Sequence, residues 1–138
     1  MSAPPEGHLF QERLLKNPFW MLVACQLVNQ TTWRQAKPAF LWLRATYRDA
    51  VGLSRADPAD LHEAMRPLGL WKRRSEMLVR FARAWLSGPP SDYEGVLALP
   101  GCGKYAADSW AIFVAGRLDV EPNDGKLNWY VERQRTET

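Results

Sequence analysis

At 138 residues the chain is long enough for one domain with a real core and too short for two ordinary ones. A formal charge of +3 permits an anionic partner without demanding one, and seven Trp argue for a compact, aromatic-rich fold over a disordered basic tail. The two cysteines, Cys25 and Cys102, are far apart and have no second Cys or His at ligand spacing, which excludes a four-cysteine iron–sulfur cluster and a Cys-based zinc site within the chain.

Residues 1–7, with two prolines and a glycine, read as a flexible leader, and the remainder, 8–138, as a single domain. Met1 to Gly7 lacks a signal-peptide pattern, and the apolar run Phe19 to Cys25 is too short to span a bilayer, so a soluble intracellular protein with reduced cysteines is expected. A short helix is expected from about His8 to Lys16. Asn17-Pro18 then pairs a capping residue with a first-turn proline, opening a helix to about Asn29 that is apolar around nearly its whole circumference. That helix belongs at the centre of the core, and its polar end, Asn29-Gln30-Thr31-Thr32, belongs at a surface or cleft.

Thr32 caps a helix through about Tyr47, with Ala36, Phe40 and Leu43 facing the core and a kink expected at Pro38. Asp57-Pro58 opens another to about Met65, which Arg66-Pro67 stops, and Leu68-Gly69-Leu70-Trp71 makes a tight apolar turn. An amphipathic helix follows to about Ser87. Its core face carries Met77, Leu78, Phe81 and Trp85, while Lys72, Arg73, Arg74, Arg80 and Arg83 cover the others. Ser91 and Glu94 make a capping-box pattern for a short helix to about Ala98.

Next comes Leu99-Pro100-Gly101-Cys102-Gly103-Lys104, running into a helix from about Lys104 to Ala115. Glycines flanking one residue permit positive φ and expose backbone N–H groups beside a helix N-terminus, an arrangement that can grip a phosphate. The same glycines would also serve a plain helix–turn–helix connection. Leu118 to Pro122 is an extended connector, with a strand period only over Leu118–Val120, and Asn123 or Asp124 caps a last helix through about Arg135. The fold class is therefore all-α, with roughly seven or eight helices.

Five motifs stand in an order that resembles the helix-hairpin-helix superfamily of DNA glycosylases. They are Gln11-Glu12, the helix ending in Asn29-Gln30-Thr31, Arg66-Pro67-Leu68-Gly69-Leu70, the glycine hairpin, and Asn123-Asp124-Gly125-Lys126-Leu127-Asn128. Within the superfamily they look most like the catalytic domain of the thymine glycosylases that carry a methyl-CpG-binding domain, over Leu9 to Tyr130. The resemblance implies a helix-hairpin-helix fold and a monomeric DNA repair enzyme of the nucleus. Its partner would be double-stranded DNA with a mismatched or deaminated base, and no membrane, metal or cofactor would be required.

The chemistry implied is base excision: thymine or uracil in a G:T or G:U mismatch is rotated out of the duplex and its glycosidic bond hydrolysed. Asp124 would be the catalytic carboxylate, stabilising the sugar cation and orienting water. Gln11 and Tyr105 would line the base pocket. Gln30, Leu68 and Leu70 would enter the duplex as wedges, although Gln30 departs from the arginine of that branch. Gly101, Gly103, Lys104, Arg66 and Lys126 would hold DNA phosphates. Bifunctional relatives place a Schiff-base lysine two residues beyond the second hairpin glycine; here that residue is Tyr105, which implies a glycosylase without lyase activity.

Taken singly, these residues have other readings. Asp124 also suits an N-cap, Leu68 and Leu70 suit core packing beneath a turn, Gln11 a solvated helix face and Tyr105 a partly buried core ring. For the whole chain the alternatives are a non-enzymatic helix-hairpin-helix DNA-binding module, or the same fold acting on a different damaged or mismatched base.

Overall fold

The computed structural model describes residues 9–137, so the leader expected over 1–7 and the helix start at His8 lie outside the described residues. Among the described residues the chain forms nine α-helices and two 3-10 turns, with no β-strand. Leu118–Val120, the stretch with a strand period, is unpaired connector.

Helix α1 (Phe10–Arg13) is one turn, and α2 (Pro18–Leu27) is the centre of the molecule. Asn17 caps α2 by accepting the Trp20 N–H at 3.3 Å. Every residue from Phe19 to Cys25 is buried, as is Leu27. Burying side chains of this size contributes roughly 1.5–3 kcal/mol each before the entropy of ordering them is subtracted. Trp20 meets its polar obligation by donating Nε1–H to the Arg48 carbonyl at 2.9 Å, and Phe19 stacks on Phe81 with centroids 5.3 Å apart.

Helix α3 (Trp33–Tyr47) starts at a Thr32–Gln35 capping box and buries Ala36, Ala39, Phe40 and Leu43. It continues through Pro38, the position of the expected kink. Arg48, at φ 69, ends it, and Asp49 at once caps a further helix, α4 (Ala50–Ser54), by accepting the Gly52 N–H at 2.9 Å. That helix packs on the long α6 and was not expected from the sequence. The segment begun by Asp57-Pro58 is also broken finer than expected. A 3-10 turn (Pro58–Leu61), α5 (His62–Met65) and a second 3-10 turn (Arg66–Leu68) follow one another.

Helix α6 (Trp71–Ser87) buries Leu78, Val79, Phe81 and Ala82, with Met77 and Trp85 half-buried. Arg74, expected on an outer face, turns inward instead and is half-buried. Helix α7 (Tyr93–Leu97) is capped by Asp92, which accepts the Gly95 N–H at 2.7 Å, and not by Ser91. Helices α8 (Lys104–Phe113) and α9 (Gly125–Glu137) complete the fold, α8 packing on α2, α7 and α9.

Candidate active site

Five ends of helices meet at one cleft: the N-terminal edge of α1, the C-terminal end of α2, and the N-termini of α3, α8 and α9. The cleft has a volume of about 930 Å³. The hairpin forms one wall. Its turn is closed by the Cys102 N–H donating to the Leu99 carbonyl at 3.1 Å. Gly101 sits at φ +79, and a Cβ there would run into the Gln26 carboxamide and Met77, so both conformation and space demand glycine. Gly103 differs from the expectation of positive φ. It caps α8 at φ −116, in a region any residue adopts, and nothing approaches the place a Cβ would take. What Gly103 offers is an unobstructed approach to the N-terminus of a ten-residue helix, where backbone donors and the helix dipole both favour an anion.

Asp124 stands opposite, half-buried in the cleft wall. Its Oδ2 accepts the Leu127 N–H at 3.0 Å, which caps α9, while Oδ1 has no protein donor among the described residues. The N-cap role and an open carboxylate oxygen therefore coexist on one side chain. Holding Oδ2 restrains the rotamer of a side chain that lines the cleft.

Tyr105, in the first turn of α8, lines the same cleft, with Cys25 beside it. Gln11 is not a solvated residue: it is 1% exposed and lies a layer behind, donating from Nε2 to the Tyr105 hydroxyl at 2.7 Å and to Ser109 Oγ at 3.2 Å. Burial, reinforced by the charges of Cys25 and Asp124, pushes the Tyr105 hydroxyl well above the ordinary phenol range, against the opposing effect of the Gln11 bond. Burial also dominates at Cys25, pushing its thiol up to about 12 despite a hydrogen bond with Ser109. The floor of the cleft is thus a set of neutral groups at ordinary pH. Ser109 and Cys25 were missed by sequence reasoning; Ser109, four residues after Tyr105 on the same helical face, was recoverable from spacing alone.

Gln30 and Lys126 are exposed at the rim of the cleft. Lys104 lines it too, but its ammonium is committed elsewhere. Nζ pairs with Asp108 at 2.7 Å and donates to the Glu121 carbonyl at 3.0 Å, bridging α8 to the connector that leads to Asp124. Asp108 is 2% exposed and also accepts the Tyr93 hydroxyl at 2.9 Å. The charge expected to meet a phosphate is paired with Asp108, although the Lys104 side chain stays 44% exposed, on the side of a second, shallower cleft of about 680 Å³.

Leu68, Leu70 and Arg66 do not line the cleft. Leu68 is 7% exposed and packs into the core, whereas Leu70 is 73% exposed at φ 46, which corrects the expectation that both leucines project from the loop. Arg66 lies over the Trp71 ring at 4.8 Å and pairs loosely with Glu63 at 3.7 Å. Gln30, at φ 63, shares with Leu70 a left-handed backbone that costs a non-glycine residue about 1 kcal/mol or more and persists only where the surroundings enforce it. Among the described residues no group of three or more His, Cys, Asp or Glu could hold a metal ion, and no helix is long and apolar enough to cross a membrane.

Residues 23–135 match the family described as HhH-GPD superfamily base excision DNA repair protein. The chain is 35% identical over 131 residues to the methyl-CpG-binding domain protein 4-like protein of Arabidopsis thaliana, covering 93% of this chain and 29% of that one. It is 26% identical over 132 residues to endonuclease III of Thermotoga maritima, covering 88% of this chain and 62% of that one. The chain thus spans less than two thirds of the length of either relative. A solved structure described as a thermostable thymine-DNA glycosylase superposes with a TM-score of 0.67 at 20% identity, over 78% of this chain and 58% of that one; at such identity the likeness is one of fold.

Proposed function

Because the chain belongs to the HhH-GPD superfamily of base excision DNA repair proteins, we propose that it is a monofunctional DNA glycosylase that hydrolyses thymine or uracil from G:T and G:U mismatches. The observation that carries this reading is Asp124: one carboxylate oxygen held by the α9 backbone, the other open to a cleft that Tyr105 shares. A flipped pyrimidine would stack on Tyr105, whose hydroxyl is fixed by Gln11. Gly103 and the α8 N-terminus would hold a phosphate of the target strand, with Lys126 adding charge at the rim.

As the C1′–N1 bond breaks, the pyrimidine leaves with the bonding electron pair and positive charge grows on the sugar. On this reading Asp124 would stabilise that charge and orient a water molecule. Water oxygen then bonds to C1′, its proton passes to the carboxylate or to solvent, and the departing base takes up a proton. The products are a free base and an abasic site.

Two observations support the absence of lyase chemistry. Tyr105 stands where a Schiff-base lysine would be needed, and the adjacent Lys104 is tied to Asp108 and Glu121. The working form proposed is a monomer on duplex DNA, in the nucleus. Single-turnover incubation with G:T and G:U duplexes, each sample divided between alkali and none, tests the reading. Strand breaks that appear only after alkali support it; breaks without alkali point to lyase activity, and no release points to another base or to binding alone.

A further inference from the structure

Of the three exposed non-glycine residues at positive φ, Gln30, Arg48 and Leu70, the first and last lie just beyond two elements that one side chain joins. Helix α2 ends at Leu27, and the carbonyls of its last turn take partners from beyond the helix: Gln26 accepts the Asn29 N–H at 3.4 Å and Leu27 the Thr31 hydroxyl at 2.8 Å. Arg74, in the first turn of α6, adds a charged donor to both: Nη2 donates to the carbonyls of Gln26 and Leu27, each at 2.8 Å. Nη1 of the same guanidinium donates to the Leu68 carbonyl at 2.9 Å, and the Arg74 backbone N–H donates to the Leu70 carbonyl at 2.9 Å. Gln30 follows the first pair of carbonyls by three residues, and Leu70 follows the third by two. Burial lowers the Arg74 pKa; a guanidinium stays charged in proteins, so the fork sets positive charge against the negative end of the α2 dipole.

We propose that Arg74 is a positioning residue that locks the Gln30 and Leu70 loops to each other, so that both tips enter the duplex as one rigid device when the target base is displaced. A planar guanidinium reaches three carbonyls on two elements at once, the end of α2 and the 3-10 turn before α6; an ammonium is a point donor and cannot span both. The side chain touches neither the cleft nor, on this reading, the DNA. It acts by enforcing two backbone conformations that are unfavourable in isolation. The inference rests on the base-displacing reading of the cleft given above.

The test uses Arg74→Lys, which keeps the charge, and Arg74→Met, which keeps much of the stem, on a G:T duplex with 2-aminopurine beside the target. Unstacking is read by fluorescence, base release in a single turnover, and DNA affinity by anisotropy. Arg74→Lys is expected to stay folded and bind DNA within a few-fold of wild type, yet to lose unstacking amplitude and release rate by about tenfold to a hundredfold, as small misplacements of an enzyme's working groups do. Arg74→Met should lose at least as much. Unstacking left intact in Arg74→Lys would overturn the inference, as would a loss that merely tracks affinity and melting temperature. If wild type unstacks the probe but releases no base, the glycosylase reading fails while Arg74 is still judged by the unstacking signal. If wild type does neither, both fall.

Discussion

Leu68 and Leu70 are two residues apart, chemically identical and opposite in consequence. Leu68 is buried, so Leu68→Ala should cost about 2–5 kcal/mol of stability, as truncation in a packed core does. Leu70 is 73% exposed, so Leu70→Ala should leave stability within about 0.5 kcal/mol of wild type while slowing release of a paired base by about tenfold. Chemical denaturation and single-turnover rates separate the two effects, and equal stability losses would refute the assignment. A second residue-scale consequence concerns the thiols. Burial pushes Cys25 and Cys102 each from 9.0 up to about 12, so the folded state holds these protons more tightly than the unfolded chain does. Their contribution to stability is complete below pH 9 and is lost as pH rises from about 9 towards about 12. The melting temperature should therefore fall across that window, and Cys25→Ala should flatten part of the fall; a flat alkaline profile in the wild type would contradict it.

At the scale of elements, the hairpin glycines have separable jobs. Gly101→Ala must adopt a left-handed backbone and displace Gln26 and Met77, so it should destabilise by about 1–2 kcal/mol or more in urea unfolding. Gly103→Ala has ordinary φ and open space, so its stability should change by about 0.5 kcal/mol or less, and its deficit should appear in DNA affinity instead. An unfolded Gly103→Ala or an unaffected Gly101→Ala would reverse these roles. The long elements were legible because cap, period and stop agreed: Asn17-Pro18 before α2, Thr32 before α3, and Gly88-Pro89-Pro90 after α6. The five-residue α4 was not, although Asp49 supplied its cap, because so short a segment shows no period. Local signals likewise favoured Ser91 over Asp92 as the α7 cap, a choice that only the folded backbone decides.

At the scale of the molecule, the cleft gathers residues from Leu9 to Lys126, and no local pattern reveals that Gln11 stands behind Tyr105 and Ser109. The order of motifs pointed to Asp124 and Tyr105. It could not reveal where Lys104 spends its charge or that Arg74 turns inward, since both depend on partners far away in the chain. Neutral groups such as Tyr105 and Cys25, the N-terminus of α8 and the basic residues Arg34, Lys104 and Lys126 line a site in which Asp124 is the one acidic side chain among the lining residues. The decisive measurement is single-turnover base release from a G:T duplex, with and without alkali, by wild type and Asp124→Asn. The account predicts alkali-dependent breaks with wild type, and with Asp124→Asn a rate lower by about 10²–10⁴-fold at retained DNA affinity. An unchanged rate in Asp124→Asn would contradict it.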